Sequence, residues 1–266
     1  MPRFEPHPDR RPVLIAGASS GIGAATAESL AQQGYPVALG ARRLDECEQL
    51  AEKIRAAGGE AIAHRLDVTD DESVDAFVTA AEAVLGPAEV VVSGAGDVEF
   101  ALVHEMSTAD FARQVDVHLV GPHRLARRVV PDMIARGRGD FVLISSDCAH
   151  APRPRMGAYN AAKAGLEGMA EQMRMELEGT GVRVSLVRPG PTRTGMGMNA
   201  EAEVVGPLIE DWVAWGFARH PYLLRPSDMA AAIGSVVGTP RGSHLILVEV
   251  QPEAPQRTAE SASSAG

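Results

Sequence analysis

Short apolar runs alternate along the chain with longer stretches whose apolar residues recur every three or four positions. Runs of the first kind read as buried strands, and the longer stretches as amphipathic helices. Val13-Leu14-Ile15-Ala16 is a first strand, and residues 24–33 are a helix. Residues 36–40 are a second strand. Helix 44–57 follows and stops at Gly58-Gly59, a natural left-handed end. A third strand covers 60–65. Helix 71–85 follows, with Asp70 or Thr69 placed to cap it, and ends at Gly86-Pro87. Residues 88–92 are a fourth strand. The stretch 108–136 reads as a long helix or a helix pair. Pro122 and Pro131 are its expected irregular points, because proline has no N–H to give. A fifth strand, 140–146, ends in two serines. Tyr159 opens a helical segment through Leu166, Met169, Met173 and Leu177 that stops at 179–181. Residues 182–187 are a sixth strand. Pro226-Ser227-Asp228 caps a last helix, 229–237, and 244–250 are a final strand.

Strict alternation of strands and helices over short connections predicts an α/β fold: a Rossmann-type doubly wound parallel sheet of about seven strands, with helices on both faces. Right-handed crossovers then bring the C-terminal strand ends to one rim, where such sheets bind ligands. The expected organisation is an N-terminal extension over 1–12, one domain over 13–251, and a disordered tail rich in Ser, Ala, Glu and Pro over 252–266.

The net charge of −10, with no block of Lys or Arg, argues against nucleic acid and against an anionic membrane surface. No apolar run reaches the roughly 18–20 residues a membrane span needs. Residues 1–12 are charged and proline-rich with no apolar centre, so no secretory signal is expected. The two cysteines, Cys47 and Cys148, lie far apart, which makes the cytoplasm the expected compartment. The histidines show no metal-site spacing, so no metal is expected.

Candidate chemistry begins at Gly17-Ala18-Ser19-Ser20-Gly21-Ile22-Gly23. Strand, glycine-rich turn and helix in that order form half of a dinucleotide-binding unit. The turn approaches a pyrophosphate, and the helix start offers N–H groups and a positive dipole end. After the second strand, Ala41 stands where an acidic residue would hold the ribose hydroxyls of NAD. Arg42 follows, suited to the 2′-phosphate of NADP, with Arg43 or Ser19 as helpers. The plain alternative is that both arginines are exposed loop residues. Tyr159 and Lys163 stand one helical turn apart on one face. A phenol beside an ammonium can act as general acid or base near neutral pH, since the positive charge favours phenolate.

The pattern Gly17…Gly21-x-Gly23, together with Tyr159-x-x-x-Lys163, resembles the short-chain dehydrogenase/reductase family in its single-domain form, over about residues 13–250. The resemblance implies hydride transfer between NADP(H) and a carbonyl or alcohol. Ser146, thirteen residues before Tyr159, would orient and polarise the substrate oxygen. Tyr159 would exchange the proton. Lys163 would lower the phenol pKa and hold the nicotinamide ribose.

By the same resemblance, Asp67-Val68 would lie against the adenine, although Asp67 could instead cap the following helix. Gly94-Ala95-Gly96 would approach the ribose, behind Ser93 where the family carries Asn. Pro189-Gly190 matches the family's cofactor loop, in which the backbone near Thr192 would hold the carboxamide and Thr194 would approach the pyrophosphate. The stretch Val117-His118-Leu119-Val120-Gly121 matches the family's Asn-x-x-Gly, with His118 in place of Asn. His118 either passes protons between water and Lys163 or only packs. Residues 195–224 would form a mobile lid, with Met196, Met198, Trp212 and Trp215 lining an apolar pocket, unless the tryptophans pack in the core or at a subunit contact. The substrate would be a small apolar molecule, and the assembly a homotetramer or homodimer. A catalytically silent NADP-binding regulator of the same fold is the alternative that Ser93 and His118 leave open, although the intact Ser146, Tyr159 and Lys163 argue against it; an NAD-linked dehydrogenase is a nearer alternative, disfavoured by Ala41-Arg42.

Overall fold

The computed structural model describes residues 4–196, 202–217 and 222–254. Seven parallel strands form one sheet in the order β3-β2-β1-β4-β5-β6-β7. They are β1 (Val13–Ala16), β2 (Val37–Ala41), β3 (Ala61–Arg65), β4 (Val90–Ser93), β5 (Gly139–Ile144), β6 (Val182–Pro189) and β7 (Leu247–Val250). The helices are α1 (Gly21–Gln32), α2 (Leu44–Ala56), α3 (Asp71–Leu85), α4 (Thr108–Val115), α5 (Gly121–Ala135), α6 (Gly157–Glu176), α7 (Ala202–Ala214) and α8 (Pro226–Gly238).

The central strands are apolar on both faces because both faces are covered. From β1, Leu14 and Ala16 join one buried cluster with Phe77 of α3, Leu125 of α5 and Leu166 of α6. Val13 and Ile15 join another with Leu30 of α1, Ile54 of α2 and Ile233 of α8. Successive strand residues point to opposite faces, so a continuous apolar run feeds two cores. The strand order reverses between β1 and β4, where α/β sheets open a crevice at the strand C-terminal ends.

Several expected boundaries move, each for a local reason. β5 stops at Ile144, so Ser145 and Ser146 lie just beyond it. There the Ser146 Oγ accepts from the Cys148 N–H at 3.2 Å and starts a single tight turn over Asp147–Ala149. α8 begins one turn early, because Asp228 accepts from the Arg225 N–H at 2.8 Å and closes a capping box. Asp70 caps α3 through the Glu72 N–H. β7 is shorter than expected, starting at Leu247 rather than 244.

The stretch 108–136 is two helices joined by a wide turn over Asp116–Val120. The Gly121 N–H reaches back five residues to the Asp116 carbonyl, and Pro122 has no N–H to offer His118. Pro131, by contrast, sits inside α5 without ending it.

Residues 4–12 are fastened across the sheet rather than hanging from it. Arg11 is buried and ion-paired with Asp140, which also takes Arg183 Nε at 2.6 Å. His7 Nε2 lies 3.0 Å from the Thr239 carbonyl oxygen. No helix among the described residues is long and apolar enough to cross a membrane. Of the expected tail, residues 255–266 lie outside the described part.

Candidate active site

The wide turn, the end of β5 and the first turns of α6 bring four polar side chains together under the rim of the sheet. His118, Ser146, Tyr159 and Lys163 are 1%, 7%, 6% and 5% exposed. Lys163 Nζ lies 5.6 Å from the centroid of the Tyr159 ring, within cation–π range, and donates to the Ile144 carbonyl at 2.7 Å. The His118 and Tyr159 rings meet edge to face, with centroids 4.9 Å apart and planes at 85°. Cys148, Met156 and Tyr159 form a small apolar cluster with Val98, Phe100 and Trp212, beside the Ser146 hydroxyl.

Burial governs the charges here. It pushes the Tyr159 phenol well up, against the pull of the nearby Ser146 hydroxyl. The expected lowering of the phenol by Lys163 is therefore absent from this arrangement; the ammonium is turned to the strand end instead. Burial draws Lys163 down to about 8. Burial, with the Lys163 charge behind it, lowers His118 to about 3, so its imidazole is neutral. His118 Nε2 lies 2.6 Å from the Asp97 carbonyl oxygen and must carry the proton. Nδ1 then keeps a lone pair, and this buried atom has no hydrogen-bond partner in the structure.

Backbone and hydroxyl donors lie together at the glycine-rich turn. Gly17, at φ 90°, lies directly against the backbone of Gly94 and Ala95. A Cβ on Gly17 would fall 2.7 Å from the Ala95 Cα, so the two rim loops meet only because residue 17 has no side chain. α1 starts after Ser20 with no side-chain cap and no acidic residue in its first turn, which leaves Gly21, Ile22 and Gly23 at an open positive end. Thr194 packs over Gly21 at this end. At the end of β2, Arg43 Nη2 holds Ser19 Oγ at 3.0 Å and Ser20 Oγ at 2.8 Å. A guanidinium with two hydroxyls is a donor set suited to a phosphate, so these residues fit NADP.

The remaining expected cofactor residues lie along the same rim. Asp67 accepts from the Thr69 N–H and hydroxyl, at 3.1 and 2.7 Å. Burial would raise its carboxyl, but those bonds and the charges of Arg42 and Arg65 hold it below the usual range. Val68 turns into the core against Gly121. Gly96 lies flat under the His118 ring. Pro189 ends β6, the Gly190 N–H bonds the Val250 carbonyl, and the Thr192 hydroxyl donates to the Gly190 carbonyl at 2.8 Å. In the expected lid, Trp212 joins the apolar cluster, but Trp215 is 72% exposed and does not line it. Met196 is partly exposed, and Met198 lies outside the described residues.

Sequence reasoning missed two charged groups beside the site. Arg153 binds Asp147 through two hydrogen bonds, at 2.9 and 2.6 Å. It also reaches Cys148 Sγ at 2.7 Å and covers the Trp212 ring at 5.5 Å. Glu167 sits one turn beyond Lys163 and pairs with Arg188. The available signal was spacing: Glu167 is four residues after Lys163, and Arg188 directly precedes Pro189-Gly190.

A family model described as short chain dehydrogenase matches residues 11–204. Glycine betaine reductase of Emericella nidulans is 39% identical over 221 residues, covering 83% of this chain; the chain spans only 17% of that protein's length. Cis-4-hydroxycyclohexanecarboxylate dehydrogenase of Sinomonas cyclohexanicum is 34% identical over 226 residues, covering 84% of this chain and 87% of that one. The crystal structure of a metagenomic short-chain oxidoreductase in complex with NADP is similar at TM-score 0.76 and 31% identity, covering 92% of this chain and 98% of the other.

Proposed function

The chain belongs to the short-chain dehydrogenase family, and on that premise we propose that it is an NADP(H)-dependent oxidoreductase interconverting a carbonyl compound and its alcohol. The bound cofactor supplies or takes up the hydride. Ser146 orients and polarises the substrate oxygen. Tyr159 gives that oxygen a proton in reduction and removes one in oxidation. Lys163 holds the cofactor ribose and steadies charge near the phenol. His118 takes part as a neutral acceptor: Nε2 is committed to Asp97, and Nδ1 is left for a water on the way to Lys163.

The observation that carries this reading is the buried phenol of Tyr159, next to Ser146 and faced by Lys163. Burial keeps the phenol protonated, the form that can donate to a carbonyl oxygen. The choice of NADP rests on Ala41, Arg42 and the Arg43–Ser19–Ser20 cluster, and the NADP complex of the metagenomic relative supports it. Cys148, Met156, Val98, Phe100 and Trp212 favour an apolar substrate. The compound named for the Sinomonas relative, a hydroxycyclohexanecarboxylate, joins an apolar ring to a carboxylate.

A screen tests this directly. Cyclic ketones should be reduced with loss of NADPH absorbance, and cyclic alcohols, 4-hydroxycyclohexanecarboxylate among them, oxidised with NADP. Turnover with NADPH should exceed that with NADH by at least about tenfold at subsaturating cofactor. Tight NADPH binding without turnover of any compound would favour the silent regulator instead.

A further inference from the structure

The residues named so far leave unexplained the carboxylate directly behind them. Glu167 follows Lys163 by four residues, so both side chains leave one face of α6, a turn apart. The Glu167 side chain is 10% exposed, and its oxygens are fully engaged. Ser145 Oγ donates to Oε1 at 2.6 Å. Arg188 donates from Nε to Oε1 at 3.0 Å and from Nη2 to Oε2 at 2.8 Å. His150 Nε2 lies 2.6 Å from Oε2. Arg188 continues through Nη1 to Glu249 at 2.7 Å, and Gln251 bridges Glu249 at 3.0 Å to Asp147 at 3.4 Å.

The segments joined in this way are the ones that carry the chemistry. Ser145 precedes Ser146, and Arg188 precedes Pro189 and Gly190. His150 belongs to the connection that bears Arg153. Lys163 grips the same strand end through the Ile144 carbonyl. Resting on the functional reading above, we propose that Glu167 is a positioning residue for the proton-transfer pair. Its carboxylate holds the ends of β5 and β6 against α6, and its negative charge keeps Lys163 an ammonium.

The charge assignment follows from what faces Lys163. Tyr159 comes from α6, His118 from the wide turn, Cys148 from the tight turn after β5, and Glu167 from the next turn of α6. Burial pushes the Tyr159 phenol and the Cys148 thiol up, so both stay neutral near pH 7, and it keeps His118 neutral too. Burial would also raise Glu167, but hydrogen bonds from Arg188, Ser145 and His150 outweigh it and hold the carboxyl below its ordinary range. Glu167 is therefore the group of this set that is ionised throughout the neutral range. Arg188 is shared with Glu249, so the three together keep one net negative charge. Burial draws Lys163 down to about 8; with the Cys148 thiol neutral near pH 7, the Glu167 carboxylate works the other way.

The chain has only two lysines, Lys53 and Lys163, and the Lys53 side chain is 69% exposed. Protein carrying an NMR-active carbon at lysine Cε therefore gives two signals, and the titration of Lys163 can be read without cofactor or substrate. Glu167→Gln should lower the Lys163 midpoint by about one unit or more and leave Lys53 unmoved. Should that variant not fold, Glu167→Gln combined with Arg188→Met removes both buried charges together, and a smaller downward shift is expected, because Glu167 is the one of the two that acts on Lys163. In active enzyme, the alkaline fall of kcat should move to lower pH by the same amount, while the KM for NADPH changes less than about threefold. An unchanged Lys163 midpoint in either folded variant overturns the proposal, as does lost stability with an unmoved pH profile. A wild-type protein inactive on every carbonyl compound, but with Lys163 shifting as expected, would count against the reaction and leave the charge assignment standing.

Discussion

Arg42 and Arg43 share the end of β2, but the structure gives them different neighbours. Arg43 reaches the two serines of the glycine-rich turn, whereas Arg42 acts on Asp67. A charge-assisted contact to phosphate contributes roughly 1.5–3 kcal/mol. Replacing either arginine by alanine should thus raise the KM for NADPH by about one to two decades and leave that for NADH nearly unchanged. Steady-state kinetics with both cofactors checks this, and equal effects would remove that arginine from the phosphate site. His118 makes a separate prediction about pH. In the unfolded chain an imidazole takes up a proton below its ordinary value of 6.5, whereas folded His118 stays neutral down to about 3. The unfolded state thus binds one more proton between those values, and stability falls as pH drops through that window. The wild-type Tm should decline more steeply between pH 6.5 and 4 than that of His118→Asn. Parallel Tm curves would mean that the histidine titrates normally in the fold. The replacement of Asn by His was legible as a departure at one position. A neutral imidazole also follows from the nearby Lys163; burial as the larger cause was not legible, because the elements that bury the ring are remote in sequence.

The loop after β4 and the wide turn between α4 and α5 fit each other through one missing side chain. A Cβ on Gly96 would overlap the His118 imidazole, so the bulk of the histidine is accommodated by the glycine beneath it. Gly96→Ala should cost about 1–3 kcal/mol by overpacking, seen as a lower denaturation midpoint. His118→Asn in the same chain should recover most of the loss; no recovery would place the clash elsewhere. At this scale the sequence was most readable where local chemistry decides the outcome. The β1–turn–α1 unit, the Asp70 cap and the stop of α3 follow from residues adjacent in the chain. Less readable were features decided at a distance. Pro122 marked an irregular helix, yet the widening falls on Asp116–Val120, ahead of the proline, where the Gly121 N–H finds the Asp116 carbonyl. Pro131 gave the same signal and stays within α5. Trp212 and Trp215 look alike in sequence, but Trp212, within α7, joins the apolar cluster, whereas Trp215, just past its end, faces out.

Over the whole molecule, the alternating pattern gave a parallel sheet, and the glycine turn with Tyr159-x-x-x-Lys163 gave the family. The buried ion triad of Arg11, Asp140 and Arg183 was hidden, because its members are remote in sequence and charged residues read as surface. We expect the protein to assemble as a homotetramer or homodimer through the helical segments 108–136 and 157–178. Light scattering at micromolar concentration should report a multiple of the 28.0 kDa chain mass, and a monomer alone would refute it. The central claim is that Tyr159 exchanges the proton in an NADP(H)-linked carbonyl–alcohol reaction. A substrate found in the screen, tested with wild type and Tyr159→Phe side by side, addresses it most directly. The phenylalanine keeps the buried ring and removes only the hydroxyl. The account predicts a kcat at least about a hundredfold lower, an NADPH Kd within about threefold of wild type, and an unchanged Tm. Turnover by Tyr159→Phe at more than a few per cent of the wild-type rate would contradict it.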